Sequence, residues 1–336
     1  MNKILKVYTY KDTPIKVFGL PFFEENKKLE RLPEHLRNKF ENLDFLGERC
    51  PGARVAFKTD AEEFTVEMKL KTLSPDVGMS IYSCQSAEVL IGERSNYRLA
   101  GLVNPHSYDC TLSSKAFKKS KKMEEITIFL PRNEIVENIS VILPDNAKIE
   151  PATDYKYGPV LFYGSSITEG GHASRMSNCY NALLSNRLDF EYYNFGFSGS
   201  AKGELEIADY INKINLKLFV MDYDHNAPDA THLKVTHEPF FKRIREKNPD
   251  LPIIIMSKPD FENSPLNAER RKIIRTTFEN ALKAGDKNVY FIDGETFFGK
   301  KDRACCTTDT IHPNDLGFYR MAKVIEPIIR KILSIE

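Results

Sequence analysis

Five short apolar segments in the second half of the chain are separated by stretches with a helical pattern. In one such stretch the spacing of Tyr180, Leu183, Leu184 and Leu188 places all four on one face of a helix. Strands that alternate with helices form a parallel sheet covered by helices. The sequence therefore predicts an α/β domain with strands at 160–163, 192–195, 218–221, 253–256 and 289–292.

The first half of the chain has a different pattern, with short extended segments between turn residues. Between 64 and 70, apolar residues alternate with polar ones, so that one face of a strand is apolar. This pattern predicts antiparallel strands in a β-sandwich, and residues 24–46 are expected to be partly helical. The prolines at 144 and 151 divide the chain into a sandwich domain, 1–150, and the α/β domain, 151–336. Further strands are predicted at 54–57, 79–82, 87–91, 126–130 and 139–143.

Charge and cysteine content argue against several classes of protein. The chain has 48 Lys and Arg residues against 47 Asp and Glu residues. Its net charge therefore gives no long-range attraction to nucleic acid or to an anionic membrane. The lysines between 115 and 122 accompany one aromatic residue, Phe117, and a solvated loop is expected there rather than a nucleic-acid platform. The first twelve residues are too polar for a secretory signal, and no apolar run is long enough to span a membrane. Together with six scattered cysteines, these features predict a cytoplasmic protein with reduced, buried thiols.

Two polar motifs carry the chemistry. Gly164-Ser165-Ser166 directly follows the first apolar strand of the α/β domain, where a turn can present a hydroxyl at the edge of the sheet. Asp309 and His312 stand three residues apart just before the last helical segment. A serine, a histidine and an aspartate suggest a nucleophile, its base and the group that orients the base. Taken singly, each motif has a structural alternative, because Ser165, Asp309 or Asn314 could equally cap a helix.

These motifs resemble those of the SGNH (GDSL-type) hydrolase superfamily. Gly164 to Thr168 resembles its first block, Asn194 to Gly199 its second, Asp222 to Asn226 stands at its third, and Asp309 to His312 resembles its last. The first block has Ser165 where the family usually has Asp, and the third departs further from the usual Gly-x-Asn-Asp. The resemblance implies a flavodoxin-like three-layer α/β/α domain and a Ser166–His312–Asp309 triad.

The resemblance also implies an oxyanion hole and a substrate class. The donors would be the backbone N–H groups of Ser166 and Gly199 and the side-chain amide of Asn226. An ordinary turn glycine and a loop asparagine remain alternatives at positions 199 and 226. A jelly-roll-like sandwich in front of an SGNH domain resembles two-domain carbohydrate esterases, which implies an acylated saccharide as substrate.

The function predicted is that of a serine esterase acting on short-chain, above all acetyl, esters of a carbohydrate. Neither a cofactor nor a metal ion is expected. Asp222, Asp224 and His225 form a polar cluster with metal-ligand chemistry, but structural roles are favoured because a hydrolytic triad needs no metal. A lysophospholipase or thioesterase, and a carbohydrate-binding protein that has lost turnover, remain the alternatives.

Overall fold

The structure of the chain is a computed structural model that describes residues 4–260 and 264–336. Its backbone divides into two compact units. The first contains the described residues up to Pro33, Gly47–Lys156 and Ser174–Ser177. The second contains Glu34–Leu46, Tyr157–Ala173 and the described residues from Asn178 to Glu336.

The first unit is built from antiparallel strands. Its strands are β1 (Leu5–Thr9), β2 (Lys16–Phe18), β3 (Arg54–Thr59), β4 (Glu63–Leu70), β5 (Ala87–Ile91), β6 (Arg98–Val103), β7 (Leu112–Lys118), β8 (Glu124–Phe129), β9 (Val136–Pro144) and β10 (Ile149–Pro151). One sheet has the order β1-β9-β4-β7, and the other has the order β10-β3-β8-β5-β6 with β2 beside β3. The β-sandwich predicted from the alternating pattern is thereby confirmed.

The apolar face of β4 shows why this sequence forms a sandwich. Phe64, Val66, Met68 and Leu70 are all buried, whereas the residues between them are half-buried or exposed. They join one apolar core with side chains of β3, β8 and β9. A shift of register by one residue would turn this face toward water, so burial specifies the pairing.

Two local predictions in the first unit are wrong. Residues 79–82 do not form a strand, because the Ser80 side chain accepts a hydrogen bond from the Tyr82 N–H (3.3 Å) and caps a short helix instead. The lysine-rich segment expected to be a loop begins with β7, which pairs with β4 at the edge of its sheet. Phe117 of β7 is buried and stacks on Phe64, and lysines are common on such edge strands.

The second unit is the predicted α/β domain. Five parallel strands in the order β12-β11-β13-β14-β15 form its sheet, and all five strand predictions are confirmed. Their bounds are β11 (Tyr157–Gly164), β12 (Phe190–Gly196), β13 (Leu218–Asp222), β14 (Ile253–Met256) and β15 (Val289–Ile292). This is the flavodoxin-like order, in which the strand order reverses at the first strand and ligands bind at the carboxyl ends of the strands there.

In the described residues the α-helices are α1 (Phe23–Asn26), α2 (Glu34–Arg37), α3 (Leu43–Leu46), α4 (Ile81–Cys84), α5 (Ser166–Glu169), α6 (Tyr180–Leu188), α7 (Leu205–Ile211), α8 (Ala230–Lys247), α9 (Pro265–Lys283) and α10 (Asp315–Leu333). Most helices lie in the second unit, whereas α1 and α4 lie in the first. Residues 24–46 are partly helical, as predicted. Within the part of the chain that the structure describes, no helix combines the length and apolar character needed to cross a bilayer.

Candidate active site

The carboxyl end of β11 presents Ser166 at the reversal point of the sheet. Gly164 ends the strand where a Cβ would overlap the Asp222 carbonyl oxygen and the Thr168 hydroxyl, so only glycine fits this close approach. Ser165 then caps α5, since its Oγ accepts a hydrogen bond from the Ile167 N–H at 3.1 Å. Ser166 is the first residue of α5 and is half-buried. Ser165 therefore caps the helix, and Ser166 is left to present its hydroxyl to the site.

The loop before α10 brings His312 to Ser166. The Oγ of Ser166 lies 2.7 Å from Nε2 of His312, and Nδ1 of His312 lies 2.7 Å from Oδ2 of Asp309. A carboxylate can only accept, so it holds the ring proton on Nδ1 and leaves the Nε2 lone pair directed at the hydroxyl. Asn314 caps α10 by accepting from the Gly317 N–H (3.2 Å). Asp309 thus orients His312 and does not cap the helix.

Asp309 is held rigidly as a charged group. Its Oδ1 accepts from the backbone N–H groups of Ile311 (3.1 Å) and His312 (2.7 Å). Partial burial raises the pKa of Asp309, but the hydrogen bonds from the backbone and ring of His312 and from Ile311 outweigh it and lower that pKa to about 2. The carboxylate is therefore ionised at every pH at which an esterase works.

A second loop, after β12, carries Gly199. The Phe197 carbonyl accepts from Ser200 and Ala201 N–H groups and, at 2.7 Å, from the Asn226 side-chain amide. Gly199 has a left-handed backbone (φ 68°) and is exposed, and nothing lies within 4 Å of where its Cβ would be. Backbone conformation, rather than lack of space, favours glycine here. One amide hydrogen of Asn226 thus joins the loop after β13 to the loop that carries Gly199.

The aspartates of the third block face different partners. Asp222 is buried and accepts from the Thr168 hydroxyl (2.8 Å) and the Tyr180 hydroxyl (3.1 Å). Asp224 is buried too and accepts from the Lys258 N–H. Burial raises the pKa of Asp222 well above its usual range and that of Asp224 to about 6. Asp222 therefore joins side chains of α5 and α6, and Asp224 holds the backbone after β14.

His225 lies in the loop after β13, next to Asn226. Burial and the charges of Lys258 and Arg270 lower the pKa of His225 to about 3, so its imidazole is neutral at physiological pH. In the described residues, Asp222, Asp224 and His225 do not form a group with metal-ligand spacing.

Sequence reasoning missed His172. Its ring stacks on that of His312 with centroids 5.0 Å apart, and its Nε2 lies 3.8 Å from Oδ2 of Asp309. The backbone at His172 is left-handed (φ 66°). Only the preceding Gly170-Gly171 pair marks a turn here, and nothing in the sequence links this turn to the distant Asp309.

Comparison with known proteins identifies the family. Residues 157–330, more than half of the chain, match the model of the GDSL-like Lipase/Acylhydrolase family. The chain belongs to this family. Residues 5–149 match a second model, the N-terminus of Esterase_SGNH_hydro-type. These matches confirm the SGNH resemblance and establish the chain as a serine esterase by class. No curated protein matches the chain.

Several solved structures share the fold over almost the whole chain. A protein described as a GDSL-like lipase from Bacteroides ovatus ATCC 8483 has a TM-score of 0.88 at 23% identity, with 99% of each chain covered. The salicylyl-acyltransferase SsfX3 from a tetracycline biosynthetic pathway has a TM-score of 0.79 at 18% identity, again with 99% of each chain covered. A family two carbohydrate esterase from Clostridium thermocellum, in complex with cellohexaose, has a TM-score of 0.64 at 16% identity, covering 84% of this chain and 93% of that one.

Proposed function

We propose that this esterase hydrolyses acetyl and other short-chain esters of a carbohydrate, with Ser166, His312 and Asp309 as its catalytic triad. The observation that carries the proposal is the continuous relay from Ser166 Oγ to His312 Nε2 and from His312 Nδ1 to Asp309, with 2.7 Å at each step. Both distances lie within the range needed for proton transfer between a nucleophile and its base.

The reaction follows from this geometry. Ser166 Oγ attacks the acyl carbonyl carbon while its proton passes to Nε2 of His312. Asp309 stabilises the imidazolium that forms and stays ionised itself. His312 then gives the proton to the leaving alcohol, and an acyl group remains on Ser166. Water, deprotonated by His312, attacks this acyl-enzyme and releases the acid.

The oxyanion that forms on the carbonyl requires donors held in place. Ser166 is the first residue of α5, and the N–H of a first helical residue has no acceptor within its own helix. Gly199 lies at the tip of an exposed turn anchored through the Phe197 carbonyl. The Asn226 amide uses one hydrogen for that same carbonyl, and its second hydrogen is the third donor we assign.

The carbohydrate part of the proposal is supported by the polar surroundings of Ser166. His172, His225 and Asn226 are polar and half-buried in loops that follow strands of the parallel sheet, and such side chains suit a hydroxyl-rich alcohol. Carbohydrate esterases of family two share the two-domain fold. The salicylyl-acyltransferase has the same fold. The fold alone therefore does not distinguish hydrolysis, in which water accepts the acyl group, from transfer to an alcohol.

Replacement of the nucleophile tests the triad. Ser166→Ala removes the attacking oxygen with little change in buried volume, so hydrolysis of an aryl acetate should fall to the background rate while circular dichroism is unchanged. Ser165→Ala is the matched control, since it removes the adjacent hydroxyl and only the cap of α5, at a cost of about 1 kcal/mol in stability. Equal activity of Ser166→Ala and the wild type would refute the triad.

A panel that varies acyl chain and alcohol separately tests the substrate. Acetyl esters should react faster than octanoyl esters, and an acetylated sugar should exceed an aryl acetate in kcat/KM, because contacts to the sugar help to position the carbonyl. Faster turnover of octanoyl esters would favour a lysophospholipase or thioesterase. Product ester formed from an added alcohol would favour acyl transfer, and no turnover by folded protein would favour a carbohydrate-binding protein.

A further inference from the structure

His172, Asp309 and His312 form a cluster of three side chains of the kind that bind metal ions. One donor atom each from His172, Asp309 and His312 can be chosen so that all three lie within 4.8 Å of one another. Oδ2 of Asp309 is central, at 2.7 Å from Nδ1 of His312 and 3.8 Å from Nε2 of His172. The two imidazole rings stack at an angle of 28°, so they approach the carboxylate side by side.

Two imidazoles and one carboxylate form a donor set typical of zinc. With bonds of about 2.0–2.1 Å, two ligands of a tetrahedral zinc ion lie about 3.4 Å apart. The observed separations of 2.7 and 3.8 Å lie on either side of this value. Small side-chain rotations would therefore suffice for all three to reach one ion.

The surroundings favour a cation at this point. Oδ1 of Asp309 accepts from two backbone N–H groups, so Oδ2 remains directed at both rings. The Asp309 side chain is 41% exposed, against 10% for that of His172. An ion can thus enter from solvent at the carboxylate and meet histidines that are already packed.

We propose that His172, Asp309 and His312 form a zinc site whose occupation switches the esterase off. The ion binds Nδ1 of His312 in place of the hydrogen bond to Asp309, and the ring proton moves to Nε2. An Nε2–H group donates to Ser166 Oγ and cannot accept its proton, so the nucleophile loses its base. The inhibition rests on the proposed function, whereas zinc binding does not.

Zinc binding is measured first, without reference to activity. Metal-free wild type and Ser166→Ala, which retains all three ligands, are titrated with zinc chloride in a calorimeter, and each should bind one ion at this site. His172→Asn should weaken that binding at least about 100-fold, since losing a group that only hydrogen-bonds to a ligand already costs about 10–100-fold. Asparagine tolerates the left-handed backbone at position 172 and so preserves the fold. Asp309→Asn, which removes the carboxylate, is the second variant.

Inhibition is then measured in the same proteins. Zinc should inhibit the wild type at the concentration at which it binds, Mg²⁺ should not, and His172→Asn should shift the midpoint by the same factor as the affinity. His106→Gln, which alters an exposed histidine of the first unit, is the control and should match the wild type. Zinc binding that His172→Asn and Asp309→Asn leave unchanged, or binding without inhibition, would overturn the proposal. Loss of activity in Ser166→Ala together with unaltered zinc binding would show that the two proposals stand separately.

Discussion

Replacing Asp309 by asparagine should remove activity through the tautomer of His312 rather than through the fold. The backbone N–H groups of Ile311 and His312 both donate to one oxygen of residue 309. An asparagine keeps both bonds only if its carbonyl oxygen takes that position, which turns its NH₂ group toward Nδ1 of His312. The opposite amide orientation would lose both backbone hydrogen bonds and keep only the one from Nδ1 of His312, at a net cost of about 1 kcal/mol.

The consequence is a histidine that cannot act as base. Facing an NH₂ donor, Nδ1 of His312 must accept, so the ring proton moves to Nε2 and points at Ser166. The corresponding exchange in a serine protease lowers kcat about 10⁴-fold, equivalent to about 5 kcal/mol of transition-state stabilisation. We expect a loss of this size in kcat for an aryl acetate, with KM little changed because Asp309 does not touch substrate.

The control removes an equal charge elsewhere. Asp209 forms an exposed ion pair with Arg243 on the surface of the second unit, and Asp209→Asn should stay within about twofold of the wild type. Steady-state kinetics at pH 8 with both variants, each checked by circular dichroism, complete the test. A fall in kcat of less than tenfold in Asp309→Asn would refute the tautomer argument.

Three further predictions concern the supports of the site. Asn226→Ala should lower kcat about 10²-fold at nearly constant KM, as expected for an oxyanion donor, and an unchanged kcat would leave it a loop residue. Gly164→Ala should destabilise the protein by about 1–3 kcal/mol in urea unfolding, because its methyl group overlaps the Asp222 carbonyl. Burial raises the pKa of Asp224 from 3.8 to about 6, so between these pH values the folded state binds a proton that the unfolded state has lost. The free energy of unfolding of the wild type should therefore decrease as pH rises from 4 to above 6. Asp224→Asn should not show this decrease, and parallel curves of unfolding free energy against pH for the two proteins would contradict the prediction.

Local pattern alone predicted much of the architecture. The apolar runs of the parallel sheet and the alternating face of β4 were identified because burial requires them, whichever neighbours they meet. Asp309 and His312 were identified as a pair because a separation of three residues lets one turn join them. The Gly-Ser-Ser motif was placed correctly at a strand end, where Gly164 leaves no room for a Cβ beside Asp222 and Thr168.

Tertiary pairing decided what local pattern could not. The segment at 112–118 is a strand because β4 supplies its partner and Phe64 covers Phe117, although its lysines suggest a loop. His172 contacts His312 only because the chain brings the turn after α5 and the loop before α10 to the same edge of the sheet. Even the distance from Ser166 to His312 depends on this closure, because residues so far apart in sequence have no local interaction that sets their separation. Spacing and the family resemblance thus singled out Ser166, His312 and Asp309 as candidates, and the tertiary fold brought them within hydrogen-bond distance of one another.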